Sequence, residues 1–285
     1  SGVITTPDSV LALTWALALH EAERAFAVDP RRWITAGIAI GLGLLGKYTM
    51  FLIGPVLLLA ILGVNWRQLL TRWPYLGAGV ALLVFAPNLI WNAHNDWLTL
   101  GFQFGHGFAT EVGGAVAPEA GDIVHSGPET PGERAASLLG YLGVQLALWG
   151  LIALPILLAP WFGRREAKPR PTSAESMSDS RLTTPGRTLL PAASLFPLSF
   201  FALVALISDV EANWPAMYLL GAAPLAALWL RRARRWAWMA ALANLALVTL
   251  YAIHAATAAL PLPDSQNRIL RETHHRTGDD WVIYP

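Results

Sequence analysis

"AGIAIGLGLLGKYTMFLIGPVLLLAILG", residues 36–63, is an almost unbroken apolar run with one charge, Lys47, near its middle. As a single straight helix it would measure about 42 Å at 1.5 Å per residue, too long for a hydrocarbon core of about 30 Å. The run therefore divides at Lys47 into two short crossings, or forms a broken helix or re-entrant hairpin. An ammonium group at the centre of a membrane helix costs roughly 2.5–3.5 kcal/mol. At a helix end the same group reaches the headgroups along its apolar stem. Glycines 37, 41, 43 and 46 lie ahead of the lysine on the first arm. Small residues at such spacing let helices approach closely, which would hold the base of Lys47 firmly.

The rest of the chain has the same character. Hydrophobic residues make up 54% of the 285, charged residues 14%, and mean hydropathy is +0.44. Soluble domains carry about 25% charged residues, so the composition predicts an all-α, polytopic transmembrane helix bundle. Apolar stretches near the ~20 residues needed to span occur at about 9–27, 33–46, 48–63, 75–92, 135–162, 188–208, 214–230 and 236–258. That is about eight spans within a transmembrane domain 1–260, followed by a tail 261–285. Twenty basic residues face nineteen acidic ones without forming a basic face, so no nucleic-acid partner is expected. There is no cysteine, which excludes disulfides and thiolate metal sites.

Orientation follows from the arginines. Arg31 and Arg32; Arg67 and Arg72; the basic residues of 163–187; and "RRARR" at 231–235 occupy alternate connections and hold fourteen of the twenty Lys and Arg residues. The positive-inside rule puts these connections in the cytoplasm. Lys47, the loop 93–134, the short 209–213 segment and the tail then face outward. Trp66, Trp73, Trp91, Trp97, Trp161, Trp214 and Trp236 lie near span ends, as interfacial anchors do. Segment 163–187 reads as a cytoplasmic linker. No repeat of fixed period is visible.

Polar groups on the outward side are the candidate site. Lys47 either caps a short helix and touches lipid phosphate, or grips the phosphate of a lipid-linked substrate. Asp8, next to Pro7 and ahead of an apolar helix, either caps that helix or is a carboxylate at the membrane's outer edge that binds an acceptor or a metal, or helps to orient a nucleophile. His94, Asp96, His106, Glu211 and Asn213 are outward too, but show no metal-ligand spacing such as HExxH. Arg134 is the one basic residue of the 93–134 loop and reads either as a snorkelling anchor or as a second outward cation.

The ordered segments "ITTPDSVLALTWALAL", "GLGLLGKYTMFLIGPVLLL", "FAPNLIWNAHNDWLTLGFQF", "LGYLGVQLALWGLIALP" and "EANWPAMYLLGAAPLAAL" resemble bacterial membrane glycosyltransferases of family 39, the protein mannosyltransferase and aminoarabinose-transferase type, with the glycosyltransferase C fold. The resemblance implies a multi-pass enzyme of the cytoplasmic (inner) membrane. It would move a sugar from a polyprenyl-phosphate donor to a glycolipid, polysaccharide or protein acceptor on the extracytoplasmic side, in contact with membrane lipid. It also implies that Asp8 is a catalytic cavity carboxylate, that Lys47 lies near the donor phosphate and Arg134 binds the same phosphate, and that the "NWP" at 213–215 borders the cavity; Lys47, Tyr48, Arg134, His94 and Asn213 are the expected substrate-binding residues. The sequence points to no certain cofactor, and a divalent metal stays open. The family's proposed general base would lie upstream of residue 1. The chain is thus expected to be N-terminally truncated and inactive by itself. The rival reading is a transporter or flippase of lipid-linked sugars, a class that commonly shows internal pseudo-repeats.

Overall fold

The computed structural model describes residues 7–101, 128, 130–149, 183–208, 210, 213–232 and 234–257. The expectations for residues 102–127, 150–182 and 258–285, including His106, lie outside them, as does Glu211. The described residues form nine α-helices and no strand: α1 Pro7–Ala27, α2 Arg32–Gly46, α3 Ile53–Asn65, α4 Trp73–His94, α5 Pro131–Trp149, α6 Thr184–Val204, α7 Asn213–Ala216, α8 Ala223–Arg232 and α9 Arg234–Thr257. Short 3-10 segments at Tyr48–Leu52, Trp66–Leu70 and Met217–Gly221 join some of them.

Three segments among the described residues are long and apolar enough to cross a bilayer: Tyr48–Leu70, Trp73–His94 and Pro185–Val204. Arg32–Gly46 and Trp238–Leu250 are shorter apolar helices. Helix α1 is long enough, but Glu21, Glu23 and Arg24 near its C-terminal end dilute its apolar character. The expected span at 214–230 is divided, with a four-residue helix, a 3-10 turn and then α8.

Helix ends follow local chemistry. A reciprocal capping box opens α5 at Pro131, ahead of the expected 135: Thr130 N–H donates to Glu133 Oε2 at 3.1 Å, and Glu133 N–H to Thr130 Oγ1 at 3.2 Å. Thr183 caps α6 by accepting from Gly186 N–H at 3.1 Å. Helix α6 therefore starts inside the stretch expected as linker.

The run 36–63 is a hairpin with Lys47 at its turn. Trp33, in the first turn of α2, donates from Nε1 to Gln68 Oε1, beyond the end of α3, at 2.8 Å. The two arms thus begin and end at one level, which a straight broken helix cannot do. Helix α2 lies between α1 and α4. On the α4 side, Gly37 faces the backbone of Gly77, and Gly41 faces Ala81 and Val84. A Cβ at Gly41 would sit 2.8 Å from the Ala81 carbonyl oxygen, so the absence of side chains sets the helix separation. On the other side Gly43 abuts Thr14 and Met50, and Gly46 abuts Val10. Helix α3 packs on α6.

The bundle has two polar ends. At one, Arg32 pairs with Glu21 at 3.1 Å, Thr35 donates to the same carboxylate, and Thr183 donates to Glu23 at 2.7 Å. At the other lie Asp8, Lys47, Tyr48 and the C-terminal end of α4. Between them Leu11, Trp15, Ala18, Met50, Val56, Leu189, Ala193, Phe201 and Tyr218 form a buried core. Leu62, Leu82, Leu83, Leu139, Leu245 and Val248 remain exposed on the flanks, a surface that suits lipid tails better than water.

Candidate functional site

The site grows from the break at Lys47. Its backbone is extended (φ −157°, ψ 129°), and its N–H closes the last α2 bond to Gly43 at 2.8 Å. The chain then tightens into the 3-10 segment Tyr48–Leu52. This reversal aims the Lys47 side chain across the top of α2 toward α1. There its Nζ donates to Asp8 Oδ1 at 2.5 Å. Asp8 sits in the first turn of α1, where the helix dipole favours a carboxylate. Its side chain is 9% exposed and that of Lys47 is 19%. Two residues 39 positions apart are thereby locked in a charge-assisted bond. Lys47 keeps part of its surface open and has three donors, so its ammonium has bonding capacity beyond Asp8.

Tyr48 points the other way, into α4. Its hydroxyl donates to Asn88 Oδ1 at 2.8 Å and lies 2.7 Å from Thr99 Oγ1. Asn92, fully buried, completes the network. Its Nδ2 donates to Asn88 Oδ1 at 3.0 Å, and its Oδ1 accepts from Thr99 Oγ1 at 2.6 Å and from Thr99 N–H at 3.2 Å. For Thr99 to return to Asn92, the chain must reverse just past α4. Asp96 (φ 51°) and Trp97 (φ 57°) do so in left-handed conformation, and Trp97 N–H caps Asn92 O at 2.9 Å. A bulky Trp at positive φ is uncommon. It is retained because the network on both sides fixes the turn.

Asn92 is the centre of this network. Asn92→Leu is expected to deprive the Thr99 amide and hydroxyl of their shared acceptor, costing about 2–3 kcal/mol. The check is a thermal melt of purified protein, in which Asn92→Leu should unfold several degrees below wild type and Asn95→Ala, at a more exposed position, close to it.

The remaining candidates are not brought to the pair. Arg134 lies exposed in the first turn of α5, where its Nε donates to the Pro128 carbonyl at 3.3 Å. His94 is exposed at the last residue of α4. Asn213 opens α7, and its side chain lies outside the described residues. Among the described residues no group of three or more His, Asp or Glu side chains is placed to hold a metal ion. Three contributors were not singled out by sequence: Asn88, Asn92 and Thr99. The first two carried a signal, since two asparagines spaced i, i+4 in an apolar helix share one face and must find partners there.

Residues 1–91 fit a family model described as dolichyl-phosphate-mannose-protein mannosyltransferase, a stretch that contains Asp8, Lys47, Tyr48 and Asn88. Neither a curated protein nor a solved structure matches the chain significantly.

Proposed function

We propose that the chain belongs to an integral-membrane glycosyltransferase. It moves a sugar from a polyprenyl-phosphate donor to a lipid, polysaccharide or protein acceptor on the extracytoplasmic face of a bacterial cytoplasmic membrane. The observation that carries this reading is the Lys47–Asp8 pair, held at one end of an apolar bundle inside the stretch that matches a mannosyltransferase family. Arg31, Arg32, Arg67 and Arg72 flank the helix ends opposite Lys47, in keeping with an outward-facing lysine.

In the transfer, an acceptor oxygen attacks the anomeric carbon and loses its proton to a base. The bond from that carbon to the phosphate oxygen breaks, and its electron pair leaves with the polyprenyl phosphate. Negative charge therefore grows on the phosphate as the transition state forms. A cation already in place stabilises that growth more than it stabilises the ground state. Lys47 is that cation. Asp8 is its counter-ion and holds it in position, so the acceptor's proton goes to another base. Arg134 is proposed as a second phosphate contact from the loop side, Tyr48 as the residue that sets the lysine's direction, and His94 and Asn213 as borders of the substrate space.

The test uses the full-length protein in membrane vesicles with a polyprenyl-phosphate donor carrying radiolabelled mannose. Release of free polyprenyl phosphate with label in an acceptor is the expected result. Intact donor that crosses the bilayer with its glycosidic bond unbroken would replace this reading with a transporter of lipid-linked sugars.

A further inference from the structure

We propose that Tyr218 is a positioning residue for Lys47, one side chain that fixes both halves of the ion pair from a segment far away in sequence. The proposal deepens the transferase reading and rests on it only for its effect on turnover. Tyr218 lies on the 3-10 turn Met217–Gly221 and is fully buried. Its hydroxyl donates to the backbone carbonyl of Thr49 at 3.0 Å, two residues past Lys47 on the hairpin turn. The edge of its ring meets Trp15 with centroids 4.7 Å apart. Trp15 is fully buried and lies two helical turns below Asp8 on α1.

One end of Tyr218 thus fixes the turn that carries the ammonium, and its ring fixes the helix that carries the carboxylate. Its own carbonyl is held from α6 by Ser194 Oγ at 2.7 Å, and its ring also lies against Phe201 of α6. Nearby, Trp15 Nε1 and Thr49 Oγ1 are buried without a hydrogen-bond partner among the described residues. The Tyr218 hydroxyl is therefore the polar link on this side of the hairpin turn, while Tyr48 anchors the opposite side to α4. Without the Tyr218 bond, the turn is freer to pivot and carry Lys47 away from Asp8.

The experiment measures acylation of Lys47 by an amine-directed reagent, quantified by mass spectrometry on the purified full-length protein, alongside glycosyl transfer. Tyr218→Phe removes one hydroxyl and keeps the ring. It is expected to raise the Lys47 acylation rate several-fold, because an amine released from its carboxylate is more exposed to the reagent. It should also lower kcat with KM nearly unchanged, since the cation acts on the leaving group in the transition state. Tyr141→Phe is the control: it deletes a comparable buried bond, Tyr141 hydroxyl to Leu198 carbonyl at 2.9 Å, away from the hairpin turn, and should leave Lys47 acylation at the wild-type rate. Ser194→Ala should move acylation in the same direction as Tyr218→Phe by a smaller factor, and it reads the proposal should Tyr218→Phe fail to fold. Wild-type acylation in both Tyr218→Phe and Ser194→Ala, or equal acceleration in Tyr141→Phe, would overturn it. A wild-type protein with no transferase activity would remove the transferase reading and leave the acylation result to decide the positioning role.

Discussion

Lys47→Ala is expected to lower glycosyl transfer by at least about 100-fold, the range seen when one pre-placed donor to a developing anion is removed. The same substitution has a second effect that must be separated from the first. It leaves the Asp8 carboxylate, with only 7% of the residue exposed, without its ammonium. Breaking a buried pair by removing one partner costs about 3–5 kcal/mol. Because Lys47 retains some exposure, a value at or below the lower end, about 2–3 kcal/mol, is expected here. The two effects part in the double variant Asp8→Asn/Lys47→Met. Removing both charges eliminates the uncompensated charge, so the melting temperature should return most of the way to wild type. Transfer should stay as low as in Lys47→Ala, since the phosphate still lacks its cation. A double variant that regained transfer together with stability would show that the pair is only a structural clamp.

How much of this was readable in the sequence depends on the range of the interaction. Lys47 stood out because one ion in an apolar run of this length has few physical options, and the four glycines ahead of it announced close packing that the seams with α4, α1 and Met50 display. The placement of Asp8 and Lys47 at the same end followed from counting spans and arginines. Their direct bond did not, because periodicity says nothing about which of several polar groups at one membrane surface meet. The same limit hid Tyr218, whose bond to Thr49 joins residues 169 positions apart. Tyr48 illustrates a different limit. Its place beside Lys47 suggested a shared task, but the extended backbone at Lys47 turns consecutive side chains to opposite sides, and the tyrosine faces α4. Helix starts at Thr130 and Thr183 were encoded as caps, but hydropathy windows read only the apolar core of each helix and set the boundaries several residues late.

The seam beneath the site carries the other large effect. Gly37→Ala is expected to destabilise the protein by about 2–4 kcal/mol, more than an ordinary overpacking substitution. A methyl group at Gly37 would fall inside the van der Waals envelope of the Gly77 carbonyl oxygen, which is backbone and has no rotamer by which to yield. Gly77→Ala meets the Trp33 carbonyl in the same way, so either change is relieved only by moving α2 and α4 apart. Once one methyl has forced them apart, the second finds the space already open. The double variant should therefore cost little more than either single one, a non-additivity that marks a shared contact. Gly79→Ala and Gly54→Ala, where an added methyl meets nothing within 4 Å, should be neutral or gain about 0.5–1 kcal/mol from reduced freedom of the unfolded chain. Thermal melts of the five variants test all of these expectations together. Because α2 ends at Lys47 and α4 carries the Asn88 and Asn92 partners of Tyr48, separating the two helices also pulls the hairpin turn off its anchor. Gly37→Ala should for that reason raise Lys47 acylation as well as lower the melting temperature, whereas a destabilising change in a remote helix should do only the latter.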